Sequence, residues 1–177
     1  MKKIKEEIVY TNWFRKVISK DFIDNKWNKS NFLISWHTWP VEAVTIIPIL
    51  KNGNILYIKE FRYWIEDYII QFPMWAVDEW KTEKYTVLNE LREEVWYSSN
   101  NIEYIWKTIV WNYDINISKC YLVKNCIKIW EQDLWIWENI DFFETSINDF
   151  EKMILNWKVL CPLSISWFYF AKKYLLN

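Results

Sequence analysis

Apolar and polar positions sort this chain into short strands first and helices later. Glu7-Ile8-Val9-Tyr10, Phe14 to Ile18 and Phe32-Leu33-Ile34-Ser35 read as strands separated by polar turns, a small N-terminal β-sheet. Val41 to Leu50 is strongly apolar and predicts a central strand. Lys51-Asn52-Gly53-Asn54 is a hairpin signal, and Ile55 to Phe61 is the returning strand. Tyr68 to Phe72 is a further short strand that stops at Pro73. The period then changes. Val87, Leu88, Leu91 and Val95 recur at helical spacing behind Thr82, an N-cap residue with Glu83 in the first turn. This helix should end near Trp96, where glycine is the usual residue. Strands follow around Ile102–Val110, Lys119–Val123 and Ile140–Phe143. Ser146 to Leu155 is an amphipathic helix, Asn156-Trp157 a break, and Pro162 to Leu176 a last helix. Strands mixed with a few helices predict a helix-flanked mixed sheet, of the α/β (α+β) class.

Composition narrows the function. The 177 residues suit one domain with at most a small appendage. Net charge is -1, so no basic excess points to a nucleic acid or a membrane surface as partner. Met1 to Glu7 carries no apolar run after its lysines, unlike a signal peptide. Val159 to Ala171 is nearly apolar, but it contains Pro162, Ser164 and Ser166 and is shorter than the roughly 20 residues of a membrane span. Cys120, Cys126 and Cys161 form no Cys-x-x-Cys pair, which fits reduced thiols in a cytoplasmic protein, each a small core residue. The lone His37 argues against a histidine-rich zinc site and a Ser-His-Asp triad.

One count is abnormal. Gly53 is the single glycine, where about 7% of a chain is usual, and there are fifteen tryptophans. Many stand where a turn favours glycine: Lys26-Trp27-Asn28, Glu79-Trp80-Lys81, Asn156-Trp157-Lys158. Some bacteria decode UGA as glycine, and translating such a gene with UGA as tryptophan would produce this pattern. The alternative is a truly tryptophan-rich chain whose indoles stack on sugars or bases.

The segment with candidate chemistry runs from Pro73 to Tyr97. Glu90, Glu93 and Glu94 lie at i, i+3 and i+4, on one side of the predicted helix, with an apolar face opposite. Clustered carboxylates repel one another, and a divalent cation turns them into hard oxygen ligands. Spacing alone describes a solvated acidic face, paired with Lys84 or Arg92, more readily than a metal site, since charge runs on helices are common.

The flanks resemble the Nudix box, Gly-x5-Glu-x7-Arg-Glu-apolar-x-Glu-Glu-x-Gly-apolar. Trp75 falls on the first glycine and Trp96 on the last, while Glu90, Leu91, Glu93, Glu94 and Tyr97 match directly. Tyr57 to Trp64, Ile70 to Trp75 and Asn156-Trp157-Lys158-Val159 are similar to flanking elements of the ADP-ribose pyrophosphatase branch of that family. Three positions depart from the pattern. Lys81 replaces the first Glu of the box. Asn89 replaces the Arg that helps orient the catalytic helix. Gln71 stands where this branch usually carries Glu.

The resemblance implies a Nudix-type α/β/α sandwich with a mixed sheet plus a small N-terminal β-sheet. It divides the chain into residues 1–38, a possible dimerisation element, and a hydrolase domain over 39–177. The implied reaction is in-line attack of water on a pyrophosphate of ADP-ribose or a related nucleoside diphosphate sugar, giving a nucleoside monophosphate and a sugar phosphate. The implied cofactor is Mg²⁺, with Mn²⁺ as a substitute. Glu90 and Glu94 are the implied metal ligands, Glu93 a further one directly or through water, and the carbonyl of Met74 another. Glu93 and Glu94 share the catalytic role with Glu138, the candidate general base in the acidic loop Glu131 to Glu138; its alternative is an exposed loop acid. Arg62 is the candidate phosphate clamp, and its alternative is a salt bridge with Glu60 or Glu66. The branch often forms homodimers through its N-terminal strands. Lys81 and Asn89 keep a second reading open, a non-catalytic nucleotide-binding module of the same fold.

Overall fold

The computed structural model describes residues 1–12, 15–37, 42–63, 65–110, 116–129 and 139–175. The chain begins with β1 (Lys2–Thr11), β2 (Arg15–Ile23) and β3 (Lys29–His37), paired antiparallel in that order. β1 and β3 outrun the stretches predicted from apolar residues at both ends, and β2 runs on past Ile18; Phe14, where its prediction began, lies outside the described residues. Their ladders continue through lysine, glutamate and asparagine, because backbone pairing in a two-sided polar sheet does not require an apolar face. All ten residues of β1 are exposed, Ile4, Ile8, Val9 and Tyr10 among them, and Ile18 is the one buried hydrophobic among this sheet's described side chains.

The second sheet holds β4 (Glu42–Leu50), β5 (Ile55–Arg62), β6 (Asp67–Gln71), β7 (Met74–Ala76), β8 (Tyr97–Ser98), β9 (Asn101–Ile109), β10 (Ile117–Lys128) and β11 (Ile140–Thr145). Its main order is β11-β5-β4-β10-β8, with β6 on β5, β7 on β4 and β9 on β10. β4 and β10 run parallel and the other pairs antiparallel, so the sheet is mixed as predicted. Gly53, at φ +83°, makes the tight β4–β5 turn.

Three helices complete the chain: α1 (Glu83–Val95), α2 (Ile147–Leu155) and α3 (Pro162–Leu175). Alternation along β4 divides the core. Val44, Ile46 and Leu50 face α1, joined by Leu56, Ile58, Tyr121 and Val123 and by Val87, Leu91 and Val95 of the helix. Ile47 faces the other way, with Ile55, Cys120, Leu122, Phe150 of α2 and Phe168 of α3. A sheet with apolar residues on both faces has to be covered on both, and the result is an α/β/α sandwich. No helix among the described residues is long and apolar enough to cross a membrane. Cys120 and Cys126 are buried, as expected, but Cys161 is only half-buried, because it lies at the start of α3 rather than beneath it.

The caps of α1 fall where the sequence placed them. The Thr82 hydroxyl accepts from the Tyr85 N–H at 3.2 Å, and Trp96 closes the helix in the left-handed region, φ 63° and ψ 33°. Thr82→Ala is expected to lower stability by about 1 kcal/mol, read as a denaturant midpoint shift without a change in slope.

Among the described residues, Trp96 is one of three tryptophans at positive φ. Trp27, at φ 67°, closes the β2–β3 turn by donating to the Asp24 carbonyl at 3.1 Å, at the glycine position of a G1 bulge. Trp157, at φ 59°, follows α2, and the next N–H, of Lys158, reaches back to the Met153 carbonyl at 2.9 Å, a Schellman closure. Three different turn motifs thus each place tryptophan where L residues with a bulky Cβ are strained and glycine is not.

Candidate active site

Helix α1 carries two buried stripes side by side. Val87, Leu91 and Val95 form the apolar one; Thr86, Glu90 and Glu94 form a polar one beside it. The prediction of an apolar face opposite the carboxylates is therefore corrected: the two stripes adjoin, and both point inward. Glu90 is 6% exposed and Glu94 4%, which rules out a solvated acidic face for this pair. Glu93 is half-buried, at the outer edge of the polar stripe. Two carboxylates one turn apart and withdrawn from water repel each other, an arrangement that a cation relieves.

The donor set fits Mg²⁺, which typically takes one or two protein carboxylates and completes its shell with water and substrate phosphate. Among the described residues, no three of His, Cys, Asp and Glu lie close enough together to hold a metal ion. Met74 lies on β7, paired across from Thr45 of β4, and the neighbouring Pro73 carbonyl accepts from the Ile46 N–H at 2.8 Å. The strand that carries the Met74 carbonyl is thus clamped to the sheet centre.

Arg62, Glu60 and Gln71 form a network on β5 and β6. Arg62 Nη2 lies 2.7 Å from Glu60 Oε2, and Gln71 Nε2 donates to the same oxygen at 2.8 Å. The salt bridge with Glu60 weighed for Arg62 is formed; the one with Glu66 is not among the described pairs. Glu60 and Arg62 continue the alternation of Leu56 and Ile58, which places them on the α1 side of the sheet. Gln71, a departure from the family pattern, is 2% exposed and satisfied by Glu60. Glu138 and the rest of the acidic loop lie outside the described residues.

Lys81, in place of the first box glutamate, pairs with Asp78 at 2.7 Å. Its pKa is raised, first by that hydrogen bond and also by the charge of Glu90.

The sequence reading missed a second polar cluster, at the start of α1. Lys119 Nζ of β10 contacts Glu42 Oε2 of β4 at 2.7 Å and Glu83 Oε1 of the first helical turn at 2.5 Å. The Tyr121 hydroxyl donates to Glu83 Oε2. Burial alone would raise the Glu83 pKa; hydrogen bonds from Lys119 and Tyr121 win and lower it. Burial opposes the charge of Lys119, but Glu42 and Glu83 hold its pKa above the ordinary value. The one local signal was a lysine inside an otherwise apolar strand, Lys119-Cys120-Tyr121-Leu122-Val123.

No family model matches the chain. It is 30% identical over 60 residues to the ADP-ribose pyrophosphatase of Bacillus subtilis (strain 168), a match that covers 34% of this chain and 32% of that protein. Among solved structures it is similar to an ADP compounds hydrolase, with a TM-score of 0.86 at 16% identity over 99% of this chain and 94% of the other. The fold is therefore the Nudix-type sandwich with a mixed sheet and a separate small antiparallel sheet that the sequence predicted.

Proposed function

We propose that the chain is a Mg²⁺-dependent Nudix pyrophosphohydrolase that cleaves ADP-ribose or a related nucleoside diphosphate sugar to a nucleoside monophosphate and a sugar phosphate. The observation that carries this reading is the inward-facing pair Glu90 and Glu94 on the helix that follows the Met74 strand. Names and shapes agree with it, since the relatives found act on ADP-ribose or ADP compounds.

Glu90, Glu94, Glu93 at the edge and the Met74 carbonyl would hold Mg²⁺ or Mn²⁺, which supplies charge neutralisation at the phosphates and a more acidic water. Arg62 grips the phosphate oxygens that the carboxylates leave free. Glu138 takes the proton of the attacking water as the new P–O bond forms and the bridging P–O bond breaks. Residues 39–177 make up the hydrolase domain. Residues 1–38 form the dimerisation element, a role supported by the exposed Ile4, Ile8, Val9, Tyr10 and Leu33 on a sheet whose described side chains include one buried hydrophobic, Ile18. Buried, unpaired Cys120 and Cys126 fit the reducing cytoplasm.

Incubation of the chain with ADP-ribose and Mg²⁺ is expected to release AMP and ribose phosphate. Absence of product with every nucleoside diphosphate derivative would leave the non-catalytic module, the reading that Lys81, occupied by Asp78, favours.

We further propose that Trp27, Trp96 and Trp157 are glycines in the protein as its own cell makes it, through UGA decoding. The three positive φ values support this, as does the Trp96 indole Nε1, buried without a hydrogen-bond partner among the described residues. The gene decides it: UGG at these codons sinks the idea.

A further inference from the structure

We infer that Lys119 is a positioning residue that sets the pitch of helix α1 by tying its first turn to β4 and β10. The inference rests on the pyrophosphohydrolase reading above, and it concerns how the carboxylates are held rather than what they do.

Lys119 ties together three elements that meet at the start of the helix. Its side chain is 14% exposed, and its ammonium is held by Glu42 of β4 and Glu83 of α1. Tyr121, two residues along β10, fixes the second oxygen of Glu83. Both oxygens of the first-turn carboxylate are thus committed to one strand, which leaves the helix little freedom to rotate about its axis. Glu42 closes the knot on the other side. Its carbonyl accepts from the Val77 N–H at 2.9 Å, and the next residue, Ala43, pairs with Ala76. The strand bearing Met74 and the helix bearing Glu90 and Glu94 are thereby referenced to the same pair of residues.

Geometry makes this anchor matter at a distance. At about 1.5 Å per residue, Glu90 lies roughly 10 Å and Glu94 roughly 16 Å along the axis from Glu83. A helix released at its first turn swings or rolls as a rod, and the carboxylates move with it. Lys81 is paired with Asp78, and Asn89 carries no charge.

The test compares the full chain with Lys119→Met, Lys119→Arg and Tyr121→Phe. Mn²⁺ affinity is measured by calorimetry, and kcat and KM for ADP-ribose are measured with Mg²⁺. Lys119→Met is expected to weaken Mn²⁺ binding and lower kcat by about 10- to 100-fold each, with much less change in KM. Lys119→Arg should recover most of both, since it restores the cation between the two carboxylates. Tyr121→Phe should fall between. A folded Lys119→Met that keeps both Mn²⁺ affinity and kcat overturns the inference. Should that variant not fold, Glu83→Gln, which keeps shape and removes charge, is read the same way: a loss of Mn²⁺ affinity supports the inference and no loss overturns it. Parent chain that binds Mn²⁺ yet turns over no nucleoside diphosphate defeats the hydrolase reading alone, and the variants' Mn²⁺ affinities still decide the role of Lys119.

Discussion

Glu94→Gln is expected to lower kcat for ADP-ribose by about 10³-fold while the metal-free protein melts at or above the temperature of its parent. The first half follows from the metal. A carboxylate that holds a Lewis acid over a pyrophosphate contributes several kcal/mol of transition-state stabilisation, and each 1.36 kcal/mol is about tenfold in rate. The second half follows from burial. Glu94 is 4% exposed and one turn from Glu90 at 6%, so each carboxyl sits where a charge is costly to keep from water. Glutamine keeps the volume and removes one of the carboxyls. Added Mg²⁺ should raise the melting temperature of the parent, because it binds the folded state, and raise that of Glu94→Gln far less. Steady-state kinetics and thermal melts with and without metal check both halves. Retained turnover would mean that the metal sits elsewhere.

The triple replacement of Trp27, Trp96 and Trp157 by Gly is expected to stabilise the chain by about 1.5 kcal/mol net. A side chain forced into the left-handed region costs about 1–2 kcal/mol, and glycine gives back about 0.5–1 kcal/mol through its freer unfolded state. Trp27 is 82% exposed and Trp157 84%, so neither indole has packing to lose. Trp96 differs. Its ring lies 5.3 Å from that of Phe142, with Lys128 over it at 5.8 Å, and losing these contacts offsets the relief of strain and of its buried Nε1. The gain therefore comes from the two exposed positions. At about 2–4 °C per kcal/mol for a domain of this size, the melting temperature should rise by roughly 3–6 °C. A fall would mean that these indoles pack in the native state, and the case for glycine would lose its physical basis.

What could be read from the chain was local. Thr82 and Trp96 bracket α1 because caps are chosen by side chains within a few residues of the helix end. The β4–β5 hairpin announces itself through Asn52-Gly53-Asn54. β7 and β8, three and two residues long, went unseen: neither spans one full alternation, and they exist because β4 and β10 offer them partners. The acidic triplet was legible as a spacing, but not the direction in which it points. Glu90 and Glu94 turn inward beside the apolar stripe, and only the packed sheet decides that. Lys119 was invisible as a functional residue. It stands 77 positions from Glu42 and 36 from Glu83, and no local pattern encodes a contact over such a separation.

The turn closed by Trp27 bears on how this protein can be made. If the Trp27 codon is UGA, a host that reads UGA as stop would release the chain no later than residue 26. That fragment ends inside the loop joining β2 to β3, with none of β4 to β11 and no helix. Unaltered gene in such a host should therefore yield no folded product. A copy with these codons rewritten as glycine triplets should yield full-length chain, lighter at each rewritten position by the difference between an indole side chain and a hydrogen atom.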